Sequence, residues 1–169
     1  MGSLGILEAH FAGTPMVVLT ETSDYDGYGQ MGVYQTMTGD YGGANGLASL
    51  KPITKYATYA TTPEEAVFGT QMAVKHASLP RMGPAAVMMK TPIIRAEMSE
   101  TPKPGLYPSQ GYYAYTPARP DSAAVAKLAE MIDKAERPVV VAGNGVNAAQ
   151  AGVQLQALAE QAGIMVTTS

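Results

Sequence analysis

At 169 residues the chain has room for one or two domains, since domains commonly run to about 100–200 residues, and its 46% hydrophobic content suffices for a buried core. The absence of cysteine excludes disulfides and thiolate zinc sites, and two histidines, His10 and His76, are too few for a histidine-rich metal centre. The net charge is −3 and the eleven Lys and Arg are scattered, which excludes nucleic acid as a partner. The apolar runs stop far short of the ~20 residues that span a bilayer, and the N-terminus shows no secretory signal.

Residues 3–12 read as an apolar helix carrying Leu4, Leu7, Ala9 and Phe11 and ending at Gly13. Met16 to Thr20 follows as a strand whose run of apolar residues suits a parallel sheet covered on both faces. Glu21 to Leu50 is glycine-rich, carries four tyrosines and has no period, so it reads as a long functional or disordered loop. Ile53 to Tyr59 alternates weakly, as a short strand or an extended passage. Thr62, Pro63 and Glu65 form a capping-box signal for a helix that Pro80 stops, with Val67, Met72, Val74 and Ala77 as its apolar contacts. Ala85 to Lys90 is the next strand, ended by Pro92.

Glu97 to Pro120 holds five prolines and four tyrosines and reads as an extended linker lying on protein surface. A helix follows from Asp121, with Val125, Leu128, Ala129 and Ile132 on one face. Pro138 to Ala142 reads as a buried strand. Gly143-Asn144-Gly145 then turns into a helix from about Asn147, with Leu155, Leu158, Ala159 and Ala162 facing inward. Gly163 ends that helix and Ile164 to Thr168 is the last strand. The pattern is α/β with parallel sheets in three-layer units.

Five segments in this order carry a resemblance. They are Pro15 to Thr20, Ile53-Thr54-Lys55, Arg81-Met82-Gly83-Pro84, Pro138 to Gly145, and the closing helix and strand. Together they resemble an interior stretch of the thiamine-diphosphate-dependent enzymes of the acetolactate synthase and pyruvate oxidase superfamily. The resemblance implies that residues 1–96 are the C-terminal part of the pyrimidine-binding domain and 97–120 a linker. Residues 121–169 would be the N-terminal part of the Rossmann-like central domain. It also implies a parent enzyme with thiamine diphosphate and Mg2+, and FAD in some relatives. The parent would be a lyase or transferase, a decarboxylase or a ligase, in which the cofactor serves as electron sink for C–C cleavage or ligation on a 2-keto acid or related carbonyl compound.

The departures from the family are as telling. Glu21 stands where the family's first strand ends in glycine. The catalytic Glu lies upstream of the first helix in the family, so no catalytic residue is assigned in this chain. The family's Gly-Asp-Gly…Asn-Asn motif for magnesium and diphosphate belongs to a third domain and is absent from these 169 residues. Acetolactate synthases carry Phe-Gln-Glu where this chain has Tyr41-Gly42-Gly43, which keeps the aromatic, loses the amide and implies a roomier pocket.

By that placement Tyr41, and more weakly Asp40, are the substrate-facing candidates, against the plain reading of a loop tyrosine packing on its own domain. Glu8 and Glu21 do not occupy the catalytic position and read as solvated or paired. Gly143 and Gly145 follow a strand and open a helix, so their backbone N–H groups can cradle a phosphate; tight-turn duty is the competing reading, since Ala148 and Ala149 stand near the place of a third glycine. His10 and His76 read as structural or exposed.

The function read here is part of a thiamine-diphosphate enzyme, inactive as this chain alone. The alternatives are a non-catalytic α/β module for nucleotide binding or subunit association, and a tyrosine-rich interaction surface. The low charge content, 15%, fits either a surface covered by a partner chain or a plain Ala/Gly-rich protein. The expected partners are a small carbonyl substrate, the rest of the same enzyme and a second copy in a homodimer or homotetramer. The expected location is the cytoplasm.

Overall fold

A computed structural model describes residues 2–23, 37–39, 43–100 and 116–169. The chain divides into two compact units, Met1–Tyr115 and Thr116–Ser169. The first runs α1 (Ser3–Ala12), β1 (Met16–Thr22), α2 (Gly46–Leu50), a 3-10 turn (Lys51–Ile53), β2 (Tyr56–Ala60), α3 (Pro63–Ser78), β3 (Pro84–Lys90) and α4 (Thr91–Arg95). The second runs α5 (Ser122–Lys134), β4 (Val139–Ala142), α6 (Asn144–Ala148), α7 (Gly152–Ala162) and β5 (Met165–Thr168).

The first unit is a three-stranded parallel sheet in the order β1-β3-β2. Strand β3 is central, and every residue from Pro84 to Met89 is buried. Its alternate residues serve two layers, because successive side chains of a strand point to opposite faces. Ala85, Val87 and Met89 join Ala60, Ala73 and Ala77 in the core under α3. Met88 lies against α2, where a Cβ on Gly46 would sit 2.8 Å from its sulfur. Helix α1, which buries Ile6 and Ala9, also contacts β3. The result is the expected helix–sheet–helix arrangement.

Helix α3 meets the sheet through small residues, Gly69, Ala73 and Ala77. Its start follows the expected capping box with one shift. The Thr62 hydroxyl accepts from Glu65 N at 3.2 Å, but the Glu65 carboxylate reaches one residue further back, to Thr61 N and Thr61 Oγ1, both at 2.7 Å. These donors hold the Glu65 carboxyl below its ordinary range, the Thr61 hydroxyl contributing most.

Several expectations need correction. The segment read as loop up to Leu50 contains α2, because the Asn45 side chain accepts from Ala48 N at 2.8 Å and caps it. The strand read at 53–59 begins at Tyr56, after the 3-10 turn. Pro92 opens α4 instead of merely ending β3, which is where proline's fixed φ and missing N–H fit a helix. The helix read from about Asn147 is two pieces, α6 and α7, broken where Gln150 takes φ +52°. On α1, Leu4 and Phe11 are exposed while Ile6 and Ala9 are buried.

The second unit is a two-stranded parallel sheet, β4-β5, flanked by helices. The strand read as buried is not: Val139 and Val141 stand exposed beside Met165 on one face of the pair. On α5, Val125 and Leu128 are exposed; on α7, Leu155 and Ala159 are half-buried but Leu158 and Ala162 are not. Two strands do not supply enough surface to cover these apolar rows. Local signals here behave as read: the Asp121 carboxylate caps α5 by accepting from Ala123 N and Ala124 N, and Gly163 ends α7 at φ +63°.

Gly69→Ala tests the α3 contact. Alanine gains roughly 0.8–1.0 kcal/mol of helix propensity over glycine. A Cβ at Gly69, however, would lie 2.9 Å from Cγ2 of Thr58, a branched side chain on β2 with little freedom to move. Overpacking costs about 1–3 kcal/mol, so the urea midpoint is expected to fall; a rise would show the contact to be loose.

Candidate functional site

The two motifs that stood out in the sequence of the first unit meet in space. Lys55 N donates to Pro84 O at 2.8 Å, which joins the Ile53-Thr54-Lys55 segment to the start of β3. The Thr54 hydroxyl turns back to Leu50 O at 2.8 Å and fixes the bend before β2. The Lys55 stem runs over Gly83, where a Cβ would meet its Cδ at 2.9 Å. The ammonium then reaches the end of α3, donating to His76 O at 2.5 Å and Leu79 O at 3.4 Å. A lysine suits that place, because the last carbonyls of a helix lack partners and carry partial negative charge. The His76 ring stacks on Tyr56, centroids 4.9 Å apart and planes 9° from parallel.

Partial burial lowers the Lys55 pKa from its ordinary value. His76 is likewise held below its ordinary value, first by burial and then by the positive charges of Lys75 and Lys55. Sequence reading singled out Lys55 only as part of a motif and left His76 as structural or exposed. The clamp they form has no local signature, because its partners are 21 and 24 residues apart.

Open α/β sheets bind ligands beyond the carboxyl ends of their strands. In the first unit that edge is formed by Thr22, Ala60 and Lys90. Thr22 is fully buried, and its carbonyl accepts from the Thr91 hydroxyl at 3.2 Å, tying β1 to the start of α4. Beside the edge, Thr38 pairs with Asn45 in an antiparallel bridge, and Gly46 N donates to Met37 O at 2.9 Å. Gly46 must be glycine here, since a Cβ would lie 2.8 Å from the Met88 sulfur and 2.9 Å from Met37 Cβ. Asp40 and Tyr41, the two substrate-facing candidates, lie outside the described residues, between Gly39 and Gly43 in the sequence.

A cleft of about 400 Å³ opens between α3 and the corner of β3 and α4. Ala66, Val67, Met89 and Ile93 line it, with Thr70 and Gln71 as its polar groups. Among the described residues its lining holds no ionisable side chain, and its surface is mainly apolar. Among the described residues no cluster of three or more His, Cys, Asp or Glu is placed to hold a metal ion. No helix among them is long and apolar enough to cross a membrane.

Gly143 and Gly145 both lie in the second unit. Gly143 caps the five-residue α6 with extended backbone, φ −91° and ψ −176°, which any residue can adopt. A Cβ there would lie 3.5 Å from Ser169 Oγ, an ordinary contact, and one at Gly145 would meet nothing within 4 Å.

Comparison with known proteins gives three findings. Residues 125–169 match the family described as thiamine pyrophosphate enzyme, central domain. The chain is 28% identical over 167 residues to the probable acetolactate synthase large subunit of Methanocaldococcus jannaschii, covering 98% of this chain and 27% of that protein. Its fold matches that of the thiamine diphosphate-dependent 4-hydroxybenzoylformate decarboxylase of Rhodococcus jostii RHA1. The TM-score is 0.68 at 20% identity, over 99% of this chain and 30% of the other. The chain therefore spans under a third of the length of these proteins.

Gly145→Ala separates the two readings of this turn. The position sits in open space inside a helix, so alanine is expected to hold or raise the thermal midpoint by its better helix propensity. If FAD or ADP binding is then lost with the midpoint kept, the glycine serves a ligand; if the midpoint falls with binding kept, it serves the turn.

Proposed function

We propose that this chain, which belongs to the thiamine-diphosphate-dependent enzyme superfamily, supplies part of the framework of an enzyme acting on a 2-keto acid or related carbonyl compound. The reaction is cleavage or ligation of a C–C bond, as in a decarboxylase or an acetolactate synthase-like transferase. The observation that carries the proposal is the pairing of Ile53-Thr54-Lys55 with Gly83-Pro84 in a parallel unit, followed by a second parallel unit within the central-domain match. In this reading residues 1–96 are the C-terminal part of the pyrimidine-binding domain, 97–120 the linker, and 121–169 the N-terminal part of the Rossmann-like central domain.

The cofactor, when bound, supplies the electron sink for the C–C chemistry. The residues present do not fit its diphosphate and magnesium end. The 169 residues contain no Gly-Asp-Gly…Asn-Asn run, and no acidic cluster is placed for a cation among the described residues. This chain's share is structural: it fixes the strand edge and the ends of the segment bearing Asp40 and Tyr41, which we assign to the substrate wall. Gly143 and Gly145 are assigned to the turn that FAD approaches in relatives that bind it. Assembly as a homodimer or homotetramer fits the exposed Leu4, Phe11 and Leu19.

Two measurements test this. The isolated chain, titrated calorimetrically with thiamine diphosphate and magnesium and assayed for 2-keto acid decarboxylation, is expected to show neither micromolar binding nor turnover; either would overturn the assignment. In the full-length enzyme, Tyr41→Ala is expected to lower kcat/KM and leave the melting temperature within a few degrees, as follows from its assignment to the substrate wall and not to a core. Melting with unchanged kinetics would make Tyr41 a packing residue.

A further inference from the structure

We propose that Lys55, His76 and Tyr56 form a proton-sensitive latch that holds the end of α3 to the start of β2 when His76 is neutral and loosens when His76 takes up a proton. The inference rests on the first unit alone and stands whatever the parent enzyme does.

The geometry sets the conflict. Lys55 Nζ is bonded to the carbonyl of His76 itself, so its charge sits beside the imidazole. Lys75, one residue back on α3, brings a second positive charge. From β2 the facing group is Tyr56, whose ring lies flat on the imidazole and carries no positive charge to remove. Lys75 on α3, Lys55 before β2 and Tyr56 on β2 are the titratable groups that the described contacts bring to His76. A proton on His76 therefore makes three cations around one helix turn.

Two effects favour that proton. A helix C-terminus attracts a cation, and an aromatic face attracts one too. Lys55 already occupies the helix end, however, through two carbonyls. Burial and the two ammonium groups act the other way, and together they hold the His76 pKa below 6.5.

The consequence for stability has a definite sign. A histidine whose pKa is lowered by folding binds its proton more readily in the unfolded chain. Stability is then greatest above pH 6.5, falls as the pH drops through that value, and stops falling once His76 is protonated in the folded state as well. The loosened state frees the ammonium of Lys55 from the His76 and Leu79 carbonyls, and with it the bend that carries Ile53-Thr54-Lys55 into β2.

The test uses the 169-residue chain. The imidazole resonances of His76 are followed by NMR from pH 8 to 5, with the chain in urea as reference. His76 is expected to titrate lower in the folded chain than in urea, and Lys55→Met and Lys75→Gln are each expected to raise its midpoint. Added salt should shrink the shift, because the ammonium groups are screened. His76→Phe keeps a ring on Tyr56 and removes the proton site, so the fall in thermal midpoint between pH 7.5 and 5.5 should flatten. An equal or higher folded midpoint, no response to Lys55→Met, or an unchanged pH slope in His76→Phe would each overturn the latch. If His76→Phe does not fold, the titration of the unsubstituted chain decides alone.

Discussion

The first unit depends on one lysine crossing a glycine. Three elements have to be brought together: the bend before β2, the end of α3 and the start of β3. Lys55 does this with its backbone on Pro84, its stem over Gly83 and its ammonium on two carbonyls of the α3 terminus. Each contact needs the others. Without Gly83 the stem is displaced by a Cβ, and without the stem the helix carbonyls lose their donor. Both carbonyl contacts are solvent-exposed, so losing one costs roughly the 0.5–1.5 kcal/mol net of an ordinary hydrogen bond, against a total stability of roughly 5–15 kcal/mol.

That joint lies at the amino ends of β2 and β3, opposite the carboxyl edge where a ligand would meet the sheet. With α3 fixed at its far end by Lys55 and at its start by Thr62 and Glu65, its row of Gly69, Ala73 and Ala77 lies close on β2 and β3. Close approach favours short side chains at the contact, and the core there is mostly alanine with Val87, Met89 being its one long side chain. The carboxyl ends of β1 and β3 are then bound together through Thr22 and Thr91. The small volume of the core residues is a consequence of the helix standing near the sheet.

Much of this was legible in the sequence, for local reasons. The cap at Thr62, the left-handed glycines at 13 and 163, and the apolar strand runs each act over a few residues, and each element appears. What escaped was of two kinds. Short helices such as α2 and α4 are set by single residues, the Asn45 cap and Pro92 in the first turn, inside stretches otherwise rich in turn formers. The Lys55 clamp depends on residues more than twenty positions apart, and no periodicity records that. The candidate site divides in the same way. Gly143 and Gly145 are seen at a short turn, while Asp40 and Tyr41 rested on alignment to relatives and lie outside the described residues.

The second unit separates what a strand is made for from what surrounds it. Val139, Val140, Val141 and Ala142 form an unbroken apolar run, the composition of a strand covered on both faces. In the two-stranded sheet the same run leaves Val139 and Val141 bare, with Met165 beside them. A two-stranded unit is marginal in water, and added strands or packed helices are what make such a sheet stable. The apolar rows of α5 at Val125 and Leu128 pose the same demand. This unit falls in the segment matching the central domain of thiamine pyrophosphate enzymes, and the chain is 27% of the length of its acetolactate synthase relative. The unit thus carries more apolar strand and helix surface than its two described strands cover.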